Sequence, residues 1–205
     1  MTTSTDPIGV VSQRLDEFVR TQSESTAEMG AEAALFLAAA ARALTGGKRL
    51  RARFCIAGWR AVAEAGGTPA ASLPGPVRDA AAALEVFHAA ALVHDDLIDN
   101  SDTRRGRPAA HRALEQTHRD AGWSGDAAAF GRGSAILLGD LLVAWSDDLL
   151  EQGLADAAPA PAAAARARYA LMRRDVTIGQ FLDVAEESAF RTEADDRHAE
   201  RALRV

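Results

Sequence analysis

Three carboxylates fall within one short stretch, His94-Asp95-Asp96-Leu97-Ile98-Asp99, near the end of an otherwise apolar segment that begins around Val77. On a helix Asp95 and Asp99 are one turn apart and share a face, with Asp96 beside them, so the three charges are expected to converge. Like charges that close become favourable around a hard divalent cation, and Mg²⁺ typically shares itself between one or two carboxylates, waters and phosphate oxygens. Arg104, Arg105 and Arg107 follow directly, and the guanidinium fork matches phosphate geometry. Acids and arginines side by side suit a metal-bridged diphosphate. Two plainer readings stay open on the residues alone: a solvated acidic helix end, or a structural network in which the arginines pair with the aspartates.

A second anion site is suggested by Gly46-Gly47-Lys48-Arg49-Leu50-Arg51, where Lys48, the sole lysine of the chain, stands three residues before Arg51. At a helix start their side chains would share a face, and the first helical amides would add positive potential. His88 lies two turns before Asp95 and could add a donor; a lone helical histidine is more often a satisfied core residue. No Ser or Cys nucleophile stands in a triad-like pattern. The Asp147-Asp148 pair reads as exposed acids on the amphipathic helix after Gly139, and the Asp195-Asp196 pair falls in the terminal segment.

The elements that must hold these groups read as helical nearly throughout. Ala, Leu and Arg dominate, and apolar positions recur at three and four residues. Helices are predicted at about 8–22, 27–44, 48–65, 76–100, 110–117, 131–152 and 160–190, with a last one opening near 193 after an N-cap at Thr192; no strand is predicted. Gly46-Gly47, the Gly66 to Pro76 stretch, Gly122 to Gly133 and Ala158 to Pro161 supply the breaks. At 48% hydrophobic and 25% charged, residues 1–205 read as a single helical domain. A net charge of −6 without a basic patch argues against nucleic-acid binding. The polar start from Met1 to Pro7 and the lack of an uncharged apolar run of about 18 residues predict a cytoplasmic protein with no transmembrane segment. Cys55 stands alone and reads as a buried packing residue.

Taken together, these motifs resemble the trans-isoprenyl diphosphate synthase (polyprenyl synthetase) family. Its G-G-K-x-x-R motif is matched by Gly46 to Arg51, and its first aspartate-rich motif with the following R-R-G by Asp95, Asp96, Asp99, Arg104, Arg105 and Gly106. Pro108 and His111 continue the match; Gly139-Asp140-Leu141-Leu142 and Gly179 to Asp183 resemble two later segments. The resemblance, spanning about Ala41 to Ala189, implies an all-α bundle of the isoprenoid-synthase type around a central apolar cavity. It implies that Asp95, Asp96 and Asp99 hold Mg²⁺ on an allylic diphosphate with Arg104. Lys48, Arg51, His88 and Arg105 would hold isopentenyl diphosphate, and Gln180 and Asp183 would line the allylic side. The implied reaction ionises the allylic diphosphate, adds the cation to isopentenyl diphosphate and eliminates a proton, in a homodimer.

In the resembled family, bulky aromatics four and five residues before the first Asp stop the product at fifteen carbons. Here those positions hold Ala91 and Ala90, and Phe87 lies one turn deeper, which favours geranylgeranyl diphosphate or a longer product. The family's second D-D-x-x-D motif and lysine-threonine pair do not occur in this chain, so the sequence reads as C-terminally incomplete and poorly active by itself. Two further readings remain: a terpene cyclase, which needs no second diphosphate site, and a non-catalytic subunit of a prenyl synthase.

Overall fold

A computed structural model describes residues 6–67 and 72–189. The chain divides into two compact units, Met1–Asp156 and Ala157–Val205, at the Ala-Pro stretch. The first unit holds α1 (Pro7–Ser25), a 3-10 turn (Ala27–Met29), α2 (Ala31–Leu44), α3 (Leu50–Ala65), α4 (Gly75–Ile98), the strands β1 (Thr103–Arg104) and β2 (Arg107–Pro108), α5 (Ala110–Asp120) and α6 (Ala127–Leu154). The second holds α7 (Pro159–Ala189), which carries Gln180 and Asp183. Thr192, the helix predicted from 193 and the Asp195-Asp196 pair lie outside the described residues, as does 68–71 of the Gly66 to Pro76 break.

The helix starts follow capping chemistry. Asp6 accepts hydrogen bonds from the Ile8 and Gly9 amides, with Pro7 at the first helical position of α1. Asp126 takes the Ala129 and Ala128 amides, and those two bonds hold its carboxyl below the usual range. That cap starts α6 at Ala127, four residues before the predicted 131, and places Gly131 and Gly133 inside the helix. Gly131 is there for space: a Cβ would overlap the His111 carbonyl oxygen and Glu115 on α5.

The core is α4 packed along α6. Leu138, Leu142, Trp145 and Leu149 of α6 are buried, as are Ala82, Val86, Ala90 and Val93 of α4. Alanine on α4 lets the axes approach closely, and each buried large side chain contributes roughly 1.5–3 kcal/mol. From α1, Val11, Leu15 and Phe18 close one side, with Phe18 edge-on to Trp145 at 5.6 Å between centroids. Asp79 of α4, only 4% exposed, accepts from Arg14 Nε at 3.1 Å and from Arg78 Nε at 2.6 Å, and Arg14 also reaches Gln152 of α6 at 2.6 Å. That network ties α1, α4 and α6 together at the end of α4 remote from the carboxylates.

α6 is long and apolar enough to cross a membrane by length and composition, a property that the core helices of water-soluble bundles share. Cys55 is half-buried rather than fully inside, and burial pushes its thiol pKa up, away from the reactive thiolate.

The ribbon of β1 and β2 is the one departure from an all-helical fold among the described residues. Thr103 pairs with Pro108 and Arg104 with Arg107, leaving Arg105 and Gly106 as a two-residue turn with φ of 53° and 74°. Two positive φ values in succession are the hairpin turn whose twist matches paired strands. Sequence periodicity misses it because each strand has only two residues.

Candidate active site

Everything at the site depends on how α4 ends. Asn100 adopts a left-handed conformation, the Ser101 amide donates to the Asp96 carbonyl at 2.8 Å, and the Asn100 amide donates to that of Leu97 at 3.4 Å. This is a Schellman stop. It turns the chain back over its own last turn, and the hairpin then delivers Arg104 onto the carboxylates. Arg104 Nε donates to Asp96 Oδ1 at 2.7 Å, and its Nη2 lies 2.8 Å from Asp95 Oδ2 and 2.6 Å from Asp96 Oδ1. The bond to Asp96, ahead of the charge of both acids, raises the Arg104 pKa still further, so the guanidinium stays charged.

Two of the three expected carboxylates therefore converge, and the third does not. Asp99 is the C-cap residue of α4 and exposed, its backbone still in the right-handed region with its amide donating to the Asp95 carbonyl at 2.9 Å. Among the described residues no three His, Cys, Asp or Glu side chains stand close enough to hold a metal between them. The convergence expected of Asp95, Asp96 and Asp99 is thus corrected to Asp95 and Asp96 sharing one cationic partner.

The glycine loop meets the hairpin. Gly47 has φ of 86°, and a Cβ there would lie 2.7 Å from Arg105 Nη1, so the loop backbone comes directly against that guanidinium. His88 completes the cluster: burial first, then the charges of Arg51, Arg105 and Arg104, lower its pKa from 6.5 to about 4. It is a neutral imidazole at pH 7, able to donate one N–H to an anion among the arginines. Four of the residues singled out in the sequence thus act on one region, although Arg51 and Lys48 are themselves exposed.

The helix geometry expected of Lys48 and Arg51 is corrected. α3 begins at Leu50, because Arg49 sits in the left-handed region at φ 50°, so Lys48 precedes the helix and shares no helical face with Arg51. The amides of α3 are also not all open to an anion: Ala52 donates to Glu85 Oε1 of α4 at 2.9 Å. Glu85 is 6% exposed and also lies 3.7 Å from Arg49, whose Nη2 donates to the Leu44 carbonyl at the end of α2 at 2.6 Å. Sequence reasoning misses Glu85. Its signal is nevertheless present, as one acid in the midst of an apolar helix, which is rarely buried without partners.

His94 is held as well. Its Nε2 is 3.3 Å from the Ile136 carbonyl oxygen and 3.5 Å from Asp140 Oδ1, and the Nε2 edge of its ring abuts Gly139, where any Cβ would overlap it. The Gly139-Asp140 pair thereby seats the residue next to Asp95.

A cleft of about 430 Å³ opens beside these groups. Gly46, Gly47, Asp96, Arg104 and Arg105 form its polar end, and Ala39, Ala89, Val93 and Leu138 are among its apolar walls. Asp95, Lys48, Arg51 and His88 do not line it, and neither do Phe87, Ala90 and Ala91. Phe87 and Ala90 are buried within the bundle and Ala91 is half-buried. Arginines and a glycine loop beside apolar walls suit a ligand with a charged head and a hydrocarbon tail.

The family described as polyprenyl synthetase matches residues 34–202. Among individual proteins, the large subunit 1 of a heterodimeric, chloroplastic geranylgeranyl pyrophosphate synthase from Arabidopsis thaliana is 31% identical over 150 residues, covering 70% of this chain and 34% of that protein. An all-trans-nonaprenyl-diphosphate synthase (geranyl-diphosphate specific) from Rhodobacter capsulatus is 37% identical over 105 residues, 51% of this chain and 25% of its own. In structure, a geranylgeranyl pyrophosphate synthase from Corynebacterium glutamicum, crystallised with isoprenyl diphosphate and magnesium, superposes with a TM-score of 0.79 at 39% identity, over 88% of this chain and 50% of that one. A farnesyl diphosphate synthase from T. brucei, at 23% identity and a TM-score of 0.62, shares the all-α fold. The chain spans about a third of the length of the first relative and half that of the first structure.

Proposed function

The chain belongs to the polyprenyl synthetase family, and on that premise we propose that the whole protein is a Mg²⁺-dependent prenyltransferase. It joins isopentenyl diphosphate to an allylic prenyl diphosphate to give geranylgeranyl diphosphate or a longer trans product. The observation that carries this reading is the meeting of Asp96, Arg104, Arg105 and Gly47 at an apolar cleft, with Asp95 held just behind them by the same Arg104.

The residues fit the cation. Asp95 Oδ2 and Asp96 Oδ1 already share one positive partner in Arg104 Nη2, and carboxylate oxygens are the hard donors that Mg²⁺ takes. Bound there with a diphosphate, the ion would neutralise charge on the leaving pyrophosphate. Arg104 faces the same oxygens and adds donors preorganised by the hairpin. Arg105, against the Gly47 backbone, and neutral His88 hold the second diphosphate, with Lys48 and Arg51 at the loop. The allylic C–O bond breaks with its electron pair leaving on pyrophosphate. The double bond of isopentenyl diphosphate then bonds to the allylic carbon, and a proton lost to the departing pyrophosphate restores a double bond. Ala89, Val93 and Leu138 keep water from the cation in between.

The small side chains of Ala90 and Ala91, with Phe87 a turn deeper, support a product of twenty carbons or more. Incubating the whole protein with farnesyl diphosphate, isopentenyl diphosphate and Mg²⁺ tests the reading, with products read by mass spectrometry. An elongated diphosphate is the expected result. Consumption of farnesyl diphosphate without the second substrate would make the protein a cyclase, and no turnover with intact folding would make it a non-catalytic subunit.

The protein is further proposed to be a cytoplasmic homodimer without a membrane span. Packing of α6 on α4 and α5 supports a bundle helix rather than a membrane one, and the exposed Ile136 and Leu137 of α6 support a second copy as their cover. Cell fractionation and sedimentation velocity test these two statements.

A further inference from the structure

His111, the second residue of α5, is 2% exposed, and among the described residues neither of its ring nitrogens has a hydrogen-bonding partner. A buried polar group left unpaired costs about 1–3 kcal/mol, so an imidazole in such a place needs a partner in some state of the protein. Its neighbours narrow the choice. Asp96, Asp102 and Glu115 all act on the ring electrostatically, while burial above all and the charge of Arg112 lower its pKa, leaving one N–H and one lone pair at neutral pH. Glu115 is already taken by Arg112 and Arg119, and Asp102 by Arg112 at 2.7 Å. Asp96 differs, because Arg104 engages only its Oδ1. Asp96 also lines the cleft together with Ala109 and Ala110, the two residues that lead into His111.

We propose that His111 is a positioning residue for Asp96: when a diphosphate draws Arg104 away from the carboxylates, a ring N–H of His111 takes Asp96 and keeps it aimed into the cleft. The inference rests on the reading of the cleft as a diphosphate site. Arg104 has five donors and turns its Nε and Nη2 to two carboxylates, and a diphosphate offers it more charge in the same region. Asp96, at 4% exposure, would lose its charged partner in that exchange. A buried donor directly behind the Ala109-Ala110 wall, with no competing bond, keeps the carboxylate oriented. Partners of this kind behind a metal-binding group commonly set its affinity for the ion.

The experiment uses the whole protein labelled with ¹⁵N-histidine, titrated with inorganic pyrophosphate and Mg²⁺, with binding followed in parallel by calorimetry. The His111 ring N–H should move downfield and exchange more slowly with water as the ligand binds. His111→Phe should raise the Mg²⁺ concentration needed for half-maximal pyrophosphate binding by about 10–100-fold, and His111→Asn, which keeps an N–H, should recover much of that loss. Should His111→Phe fail to fold, the spectrum of the unsubstituted protein decides. Pyrophosphate binding with an unmoved His111 signal sinks this inference and leaves the diphosphate site standing. Absence of any pyrophosphate binding sinks both.

Discussion

Asp96 and Asp99 are three residues apart and have opposite surroundings, one buried under Arg104 and the other exposed at the helix cap. Removing charge from Asp96 takes away a preorganised group and leaves Arg104 short of its partner. Asp96→Asn should lower kcat/KM by about 100-fold or more. Asp99→Asn should cost clearly less in steady-state assays of the whole protein, and equal losses would mean that Asp99 joins the site on binding. His88 permits a test by titration. Its folded pKa, about 4, lies below the ordinary 6.5, so the unfolded chain binds the extra proton first as pH falls. Stability is therefore unaffected by His88 above about 6.5 and declines as pH drops through the window from 6.5 toward about 4. An NMR titration should place the His88 midpoint near the lower value, and His88→Gln should flatten that part of the stability profile.

Helices and turns set these side chains in place, and two glycines of α6 separate packing from propensity. Gly139→Ala must push against the His94 ring, so chemical denaturation should show a loss of about 1–3 kcal/mol, accompanied by weaker Mg²⁺-dependent turnover. Gly133 has open space around it, and Gly133→Ala should instead gain about 0.5–1 kcal/mol through helix propensity. Much of this level is legible in the residues themselves. The 3.6-residue period locates α2, α4 and α7 to within a few residues, and glycine and proline mark the breaks. What escapes are features fixed by contacts distant in sequence. The start of α3 depends on Arg49 and on Glu85, thirty-three positions beyond the amide that it accepts. The hairpin at Arg105-Gly106 is too short to leave a periodic signal. Asp99 follows Asp95 by one helical turn, and what separates the two is that Asp99 is the exposed last residue before Asn100 turns the chain. Residue types alone bring Asp95, Asp96, Arg104, Arg105 and His88 to attention, since carboxylates, guanidiniums and an imidazole so near one another demand a shared charge balance.

For the molecule as a whole, α6 presents Ile136 and Leu137 outward from a helix whose other face carries the core, and they are 48% and 61% exposed. If the proposed second copy is seated there, it should come apart when both are replaced by Glu. Sedimentation velocity would then show a monomer with unchanged helicity, and an unaltered sedimentation coefficient would place the contact elsewhere. The two walls of the site are joined through Glu85, which serves the first turn of α3 and Arg49 at once. One carboxyl group thus keeps the register between the loop that presents lysine and glycine and the helix that presents the aspartates. Its reach is what matters, since an acid one methylene shorter has the same charge and still falls short of both partners. Variation at this position should consequently be all or nothing: chains that keep glutamate align the two halves of the cleft, and Glu85→Asp should misalign them nearly as badly as Glu85→Ala.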